Sequence, residues 1–361
     1  MADQFLEQLL SKQRIFITTH IRPDGDAIGS QLSLGLFLES LGKEVVMINS
    51  DHIPDNLSWM PAVEKVKTFD KSLKQRELID QADLIVVVDT NALNRIGDLA
   101  PVVKASNAPK FLIDHHTNPE NWFSETYARV SAASTAELIY ELIAAHNPDL
   151  ITPAIATALY VGIVTDTGSF RYSAVVPELH RVVADILERG ELSPTPIHVG
   201  LYDNRSLSSL RLLSRALATI TLKYEDQLGY MIIPQKLLRD LQADSDETDG
   251  FVNYALSIRT VKVALFFLET AKGTKVSFRS KGDVAVNTWA QSFGGGGHKN
   301  ASGAFLKKSL ESTISEVVES ATRFLDFAKP QPPSTHDTPG EDQLSEEDAS
   351  YLSSLLGMKD D

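Results

Sequence analysis

Four places in this chain put carboxylates and imidazoles at the end of an apolar run. Asp114-His115-His116 follows Lys110-Phe111-Leu112-Ile113. His20, Asp24 and Asp26 stand in the loop between the strand-like Arg14-Ile15-Phe16-Ile17 and a helix-patterned stretch from Gln31 to Leu38. Asp89 closes Leu84-Ile85-Val86-Val87-Val88, and Asp166 lies in Val164-Thr165-Asp166-Thr167-Gly168. Charge placed beside a buried strand is costly unless it is paired or coordinates a metal. One such Asp is an ordinary cap or a solvated loop acid; four clusters of this kind are not a coincidence of caps. Carboxylate and imidazole without thiolate suit manganese, magnesium or iron better than a closed structural zinc site. Asp89 is the lone acid of its loop, which makes it the natural ligand to be shared. Two divalent ions held together can polarise an oxygen nucleophile and neutralise a phosphoryl group.

The elements that position these groups follow from periodicity. Strands are expected at 14–19, 44–49, 84–89 and 110–115, alternating with helical patterns. That alternation predicts a mostly parallel α/β sheet covered on both faces. Ligands of such sheets bind at the carboxyl ends of the strands, where three of the four clusters stand. Ser134-Thr135-Ala136-Glu137 reads as a helix start. Thr152-Pro153 opens a further helix toward Asp166, so the fourth acid follows a helix instead of a strand. Residues 191–222 read as a connection containing a helix. A smaller α/β unit then carries strands at 229–233, 261–268 and 274–279. The expected division is 1–190, 191–222, 223–328 and a tail at 329–361.

In the smaller unit, Gly294 to Gly297 would weaken any regular element. They permit close backbone approach to a ligand and offer successive N–H groups to an anion; the alternative is a tight structural turn. His298 is placed to stack on or hydrogen-bond a nucleotide. Arg279, Ser280 and Lys299 are candidates for a terminal phosphate, and Arg171 points either way.

His20…Asp24-Gly25-Asp26, Asp89, Asp114-His115-His116 and Asp166 together resemble the four motifs of the DHH phosphoesterase superfamily. Phe293-Gly294-Gly295-Gly296-Gly297-His298-Lys299 resembles the glycine-rich signature of the DHHA1 accessory domain. The pairing, over about residues 1–328, resembles the bifunctional oligoribonuclease and pAp phosphatase (nanoRNase) family. The resemblance implies a DHH domain, a smaller DHHA1 domain and an active site in the cleft between them. It implies two manganese ions per chain, with magnesium or another divalent ion as a substitute. His20, Asp24 and Asp89 would hold one, and Asp26, Asp89, His115 and Asp166 the other. His116 would face substrate as a phosphate contact or proton donor, and Asp114 would orient a neighbouring group. Gly295, Gly296, Gly297 and His298, with Arg279, Ser280 and Lys299, would bind the far end of a short substrate. Arg22 stands where the family is expected to carry a smaller polar residue; it adds a phosphate contact or faces solvent. The implied reactions are exonucleolytic cleavage of very short RNA and removal of the 3′-phosphate of adenosine bisphosphate. Two readings compete with them: a phosphodiesterase of cyclic di-AMP or linear dinucleotides, and a non-catalytic nucleotide-binding module. A polyphosphate or pyrophosphate hydrolase would share the first domain, but the glycine-rich element fits a different accessory domain.

Size and composition agree. The chain has 361 residues, enough for two cores. It contains no cysteine, so neither disulfides nor thiolate sites are possible. Net charge is -14, which argues against tight binding of long duplex nucleic acid. No apolar stretch reaches the roughly 18 residues that a bilayer span needs. The acidic, amphipathic start lacks the basic region of a signal peptide. A cytoplasmic protein without a membrane partner is expected, and a homodimer stays open. The tail from Lys329 carries eight acids and two lysines and is expected to be disordered.

Overall fold

The computed structural model describes residues 2–117 and 119–325, apart from the side chains of Ala2 and His298. The expectation of a disordered tail therefore lies outside the described residues. Arg14–Thr18 (β1), Glu44–Asn49 (β2), Val66–Thr68 (β3), Leu84–Val88 (β4), Lys110–Asp114 (β5) and Glu125–Ala128 (β6) form one sheet in the order β3-β2-β1-β4-β5-β6. Every pairing in it is parallel. The central strands are buried on both faces, which is why Leu84–Val88 is a continuous apolar run. Phe16, Ile85 and Val87 pack with Ile79, Ile96 and Leu99 on one side. Ile15, Ile17, Val86 and Val88 pack on the other against Ile28 and Leu32.

The strand order reverses between β1 and β4. The loops after these two strands therefore diverge and leave a crevice at their carboxyl ends, which is where open α/β sheets bind ligands. Three helices close over it: Gly25–Ser40, Thr135–His146 and Pro153–Asp166. Glycines set their spacing. A methyl group on Gly29 would come within 2.4 Å of the Ala158 carbonyl, and one on Gly162 within 2.6 Å of the Ala136 side chain and 2.8 Å of Asp26 Oδ1. Ser134 caps the second helix by accepting from the Glu137 N–H, and Thr152 caps the third through the Ile155 N–H.

The helices Pro194–Tyr202 and Leu207–Leu217 lead to a second sheet. It consists of Thr221–Lys223 (β7), Leu228–Ile233 (β8), Val263–Thr270 (β9), Gly273–Ser280 (β10), Gly296–His298 (β11) and Ala301–Leu306 (β12), ordered β11-β12-β10-β9-β8-β7. Only the β8–β9 pairing is parallel among these described strands. Val263–Thr270 begins two residues later than the expected 261–268, because Val261 and Lys262 still belong to the turn that reaches Gln227.

Candidate active site

The crevice gathers all four clusters. His20 lies two residues past β1 and Asp89 one residue past β4. Thr19 fastens the two loops together, its hydroxyl donating to the Val88 carbonyl at 2.9 Å. Asp89 takes a left-handed backbone conformation, φ 58°, which is uncommon for a residue with a side chain and more readily adopted by Asp than by most. His20 Nδ1 donates to the Ile21 carbonyl at 2.8 Å. That fixes the tautomer and turns Nε2 toward Asp89 Oδ2 at 3.3 Å and Asp24 Oδ1 at 3.9 Å. Asp24 also caps the Gly25–Ser40 helix, accepting from the Asp26 and Ala27 N–H groups.

Asp26 sits one turn below, 1% exposed, against the start of the Thr135–His146 helix. Its two oxygens accept from the N–H groups of Thr135 at 2.7 Å and Ala136 at 3.0 Å. A helix N-terminus favours a carboxylate there, and Gly162 leaves the room for it. His115 Nε2 faces Asp166 Oδ2 at 3.2 Å, Asp89 Oδ1 at 3.6 Å and Asp26 Oδ2 at 3.8 Å. Its Nδ1 lies 3.2 Å from the Ala132 carbonyl.

So many acids in one buried place disturb each other. Burial, then repulsion from Asp89, holds the Asp26 carboxyl well above its ordinary range. Burial also raises Asp89, and it pushes Asp166 up to about 8. Burial opposes the charged form of His115, but Asp166, Asp26 and Asp89 outweigh it and raise the imidazole. His20 is raised too: burial opposes its charge, and the Asp89 hydrogen bond with the charge of Asp24 prevails. These are the shifts expected of anions gathered for a cation that the side chains alone do not supply.

His116 behaves oppositely. Burial, together with the charges of His115, Arg95 and His20, holds it well below the usual imidazole range, so it is neutral. Its Nδ1 is 2.7 Å from Asp114 Oδ1. Asp114 is fully buried, and burial raises it to about 6. Above that pH it is a carboxylate that accepts the Nδ1 proton and orients the ring.

The donor set fits divalent cations. His20, Asp24 and Asp89 each offer a ligand atom within 4.8 Å of the others, as do Asp26, His115 and Asp166. Asp89, His115 and His116 form a third such group. Asp89 reaches toward both sides, with Oδ2 facing His20 and Oδ1 facing His115.

The second domain is less committed. Gly296–His298 pairs antiparallel with β12. A methyl on Gly295 would lie 2.1 Å from the Gly303 carbonyl, and one on Gly297, where φ is 137°, 2.5 Å from the Ala301 carbonyl. At these two positions the close approach is to the protein's own strand; Gly296 alone of the three borders open space. Lys299 Nζ pairs with Asp283 at 2.9 Å. The Ser280 hydroxyl donates to the Val284 carbonyl and accepts from Asn300. Arg279 donates to the Phe278 carbonyl. The His298 side chain lies outside the described residues. Burial, then the positive charge of Arg22 and a smaller push from Arg279, lowers the pKa of Lys275 on β10. Arg22 is exposed, with its own N–H donating to Asp51, and Arg171 donates to the Gly168 carbonyl.

Sequence reasoning missed Thr135. Its hydroxyl donates to Asp89 Oδ1 at 2.9 Å while its N–H holds Asp26, so one residue fastens two acids from distant segments. The helix-start pattern at Ser134 located the residue but not its partners, which only the packing of three helices supplies.

Two family models match the chain: the DHH family, N-terminal domain, over residues 14–163, and the DHHA1 domain over 228–327. A Thermus thermophilus protein named bifunctional oligoribonuclease and PAP phosphatase NrnA is 32% identical over 321 residues, covering 86% of this chain and 90% of that protein. The crystal structure of an exopolyphosphatase-related protein from Bacteroides fragilis superposes with a TM-score of 0.83 at 33% identity, covering 89% of this chain and 95% of the other. A Listeria monocytogenes protein named cyclic-di-AMP phosphodiesterase PdeA is 26% identical over 332 residues, which is 87% of this chain and 48% of that protein. No helix among the described residues is long and apolar enough to cross a membrane.

Proposed function

The chain belongs to the DHH/DHHA1 phosphoesterases, and from that premise we propose that it hydrolyses short oligoribonucleotides and removes the 3′-phosphate of adenosine 3′,5′-bisphosphate (pAp). The observation that carries the phosphoesterase reading is the pair of ligand groups at the sheet's switch point, with Asp89 between them. The substrate class rests on the likeness, over 86% of this chain and 90% of the other, to the Thermus protein whose name carries both activities.

His20, Asp24 and Asp89 would hold one cation; Asp26, His115 and Asp166, again with Asp89, would hold a second. Manganese is the ion proposed, with magnesium as a substitute, since carboxylate and imidazole donors suit both. Such ions supply Lewis-acid chemistry, acidifying water and neutralising phosphoryl charge. The chain's own residues do the rest. Thr135 and the helix start hold Asp89 and Asp26 in place. Neutral His116, oriented by Asp114, presents its other nitrogen to the substrate. An anionic phosphate beside it favours protonation, and the resulting imidazolium donates to the departing oxygen. Arg279, Ser280, Gly295 to Gly297, His298 and Lys299 are proposed to receive the distal nucleotide, in a cleft that Arg22 and Lys275 border from the two domains. For Lys299 this requires exchange of its exposed partner, Asp283, for a phosphate.

The likeness to the Listeria protein keeps one second reading, hydrolysis of cyclic di-AMP. A panel of pAp, pApA, longer oligoribonucleotides and cyclic di-AMP, each with manganese, with magnesium and with chelator, separates the two. Turnover of pAp and pApA well above cyclic di-AMP is expected. Preference for the cyclic substrate would move the chain to the second reading, and no turnover with either metal would reduce it to a binding module.

A further inference from the structure

Arg95 occupies a position that the metal and base sites leave unexplained. It lies in the short helical segment Leu93–Leu99 that follows the Asp89 loop. Its carbonyl accepts from the Ile21 N–H at 2.7 Å, which pins the segment beside His20. Gly97, with φ 61°, presses the same segment against Ile21 and Ser50. The side chain is half-buried. Its positive charge bears on His20, Asp114 and His116, which places the guanidinium on the His20–His116 side of the crevice.

Three arginines elsewhere in the chain meet carboxylates: Arg14 pairs with Asp83 at 2.8 Å, Arg129 with Glu141 at 2.6 Å and Arg189 with Asp185 at 2.7 Å. Arg95 stands beside a site rich in acids and makes no ion pair or side-chain hydrogen bond among the described residues. A partly buried guanidinium without a hydrogen-bond partner loses hydration, and the charge of Asp114, felt without a direct contact, makes up for it only in part. That cost is explained if the partner arrives with the substrate.

We propose that Arg95 binds a non-bridging oxygen of the phosphate under attack, anchoring it on the side of the crevice where His116 stands. The guanidinium fork suits a phosphate, taking two of its oxygens at once. The proposal rests on the phosphoesterase reading for its substrate, but anion capture at Arg95 is testable without turnover.

The test compares wild type, Arg95→Gln and Arg95→Lys, all loaded with manganese. Inorganic phosphate is titrated into each by calorimetry, and the kinetics of pAp hydrolysis, the metal content and the melting temperature of the metal-free proteins are measured. Arg95→Gln should weaken phosphate binding about 10- to 100-fold, the range for one charge-assisted contact. KM for pAp should rise in step, while metal content stays unchanged and the metal-free melting temperature is unchanged or higher. Arg95→Lys should recover part of the phosphate affinity. Unchanged phosphate affinity in Arg95→Gln, or no phosphate binding by wild type, overturns the proposal. So does loss of metal and melting temperature in parallel with activity, because Arg95 would then be a strut of the His20 loop. Failure of wild type to hydrolyse pAp or oligoribonucleotides overturns the substrate assignment alone, since the phosphate titration still reads Arg95.

Discussion

The two halves of the molecule hold their polar groups in opposite ways. In the first domain His20, Asp26, Asp89, Asp114 and His115 are buried and face mainly neighbouring acids and imidazoles, with helix N–H groups and Thr135 fixing the directions of Asp26 and Asp89, while Asp24 is exposed at the rim of the crevice. In the second, Lys299 is half-exposed on one carboxylate, and Gly295 and Gly297 serve the packing of β11 on β12. A preorganised, charge-frustrated site demands a permanent ligand. A half-exposed, already paired one makes no such demand, and the proposed substrate contact there requires an exchange of partners.

The contrast breaks most visibly at Asp89. Asp89→Asn removes the carboxylate proposed to serve both ligand groups, and turnover should fall roughly 1000-fold or more, a loss at the upper end for one electrostatic group. Metal analysis should show fewer ions per chain. Retention of more than a small fraction of activity would mean that Asp89 is not shared.

Thr135→Val should weaken manganese binding on the order of 10- to 100-fold, as loss of a group that orients a ligand does. Thr135→Ser, which keeps the hydroxyl, should restore most of it. Equal affinities in a manganese titration of both variants would show that the hydrogen bond to Asp89 is incidental.

The metal-free protein should also lose stability as pH rises. Asp26, Asp89 and Asp166 have folded pKa values above their unfolded ones, so their favourable contribution is complete below about pH 4. It is lost as pH climbs through the folded values, near 8 for Asp166. His115, raised as well, acts in the same direction, and His116, lowered, opposes it. Melting curves in chelator from pH 5 to 8.5 should fall steadily and recover with manganese. A flat profile would remove the electrostatic reason for a cation.

The smallest effects separate the glycines. Gly297→Ala should destabilise the protein by about 1–3 kcal/mol, because its φ and the nearby Ala301 carbonyl oppose a side chain. Gly296→Ala has open space around it and should leave the melting temperature unchanged, yet raise KM if substrate approaches that backbone. A Gly296→Ala protein with wild-type kinetics on every oligonucleotide would exclude a close approach there.

Much of the first domain was legible because each metal-type residue ends a strong apolar run. The strands at Arg14, Leu84 and Lys110 and the helix ending at Asp166 follow from that pattern, and the strand at Glu44 from its own apolar run. Val66–Thr68 and Glu125–Ala128 were not, since short, half-exposed edge strands carry no continuous apolar signal. The reversal of strand order is a property of long-range pairing. The left-handed Asp89 backbone is likewise invisible in a residue type that normally avoids it. The Asp26–Thr135 bond joins residues 109 positions apart, beyond the reach of any local motif. In the second domain the glycine run was conspicuous, but whether its close approach is to a ligand or to β12 depends on which strand lies beside it.

The most direct test is manganese titration of the metal-free protein, followed by electron paramagnetic resonance. A shared Asp89 predicts two ions bound per chain, with a spectrum broadened by magnetic coupling between them and restored to isolated-ion form in Asp89→Asn. A single bound ion, or two ions with uncoupled spectra in the wild type, would contradict the shared site.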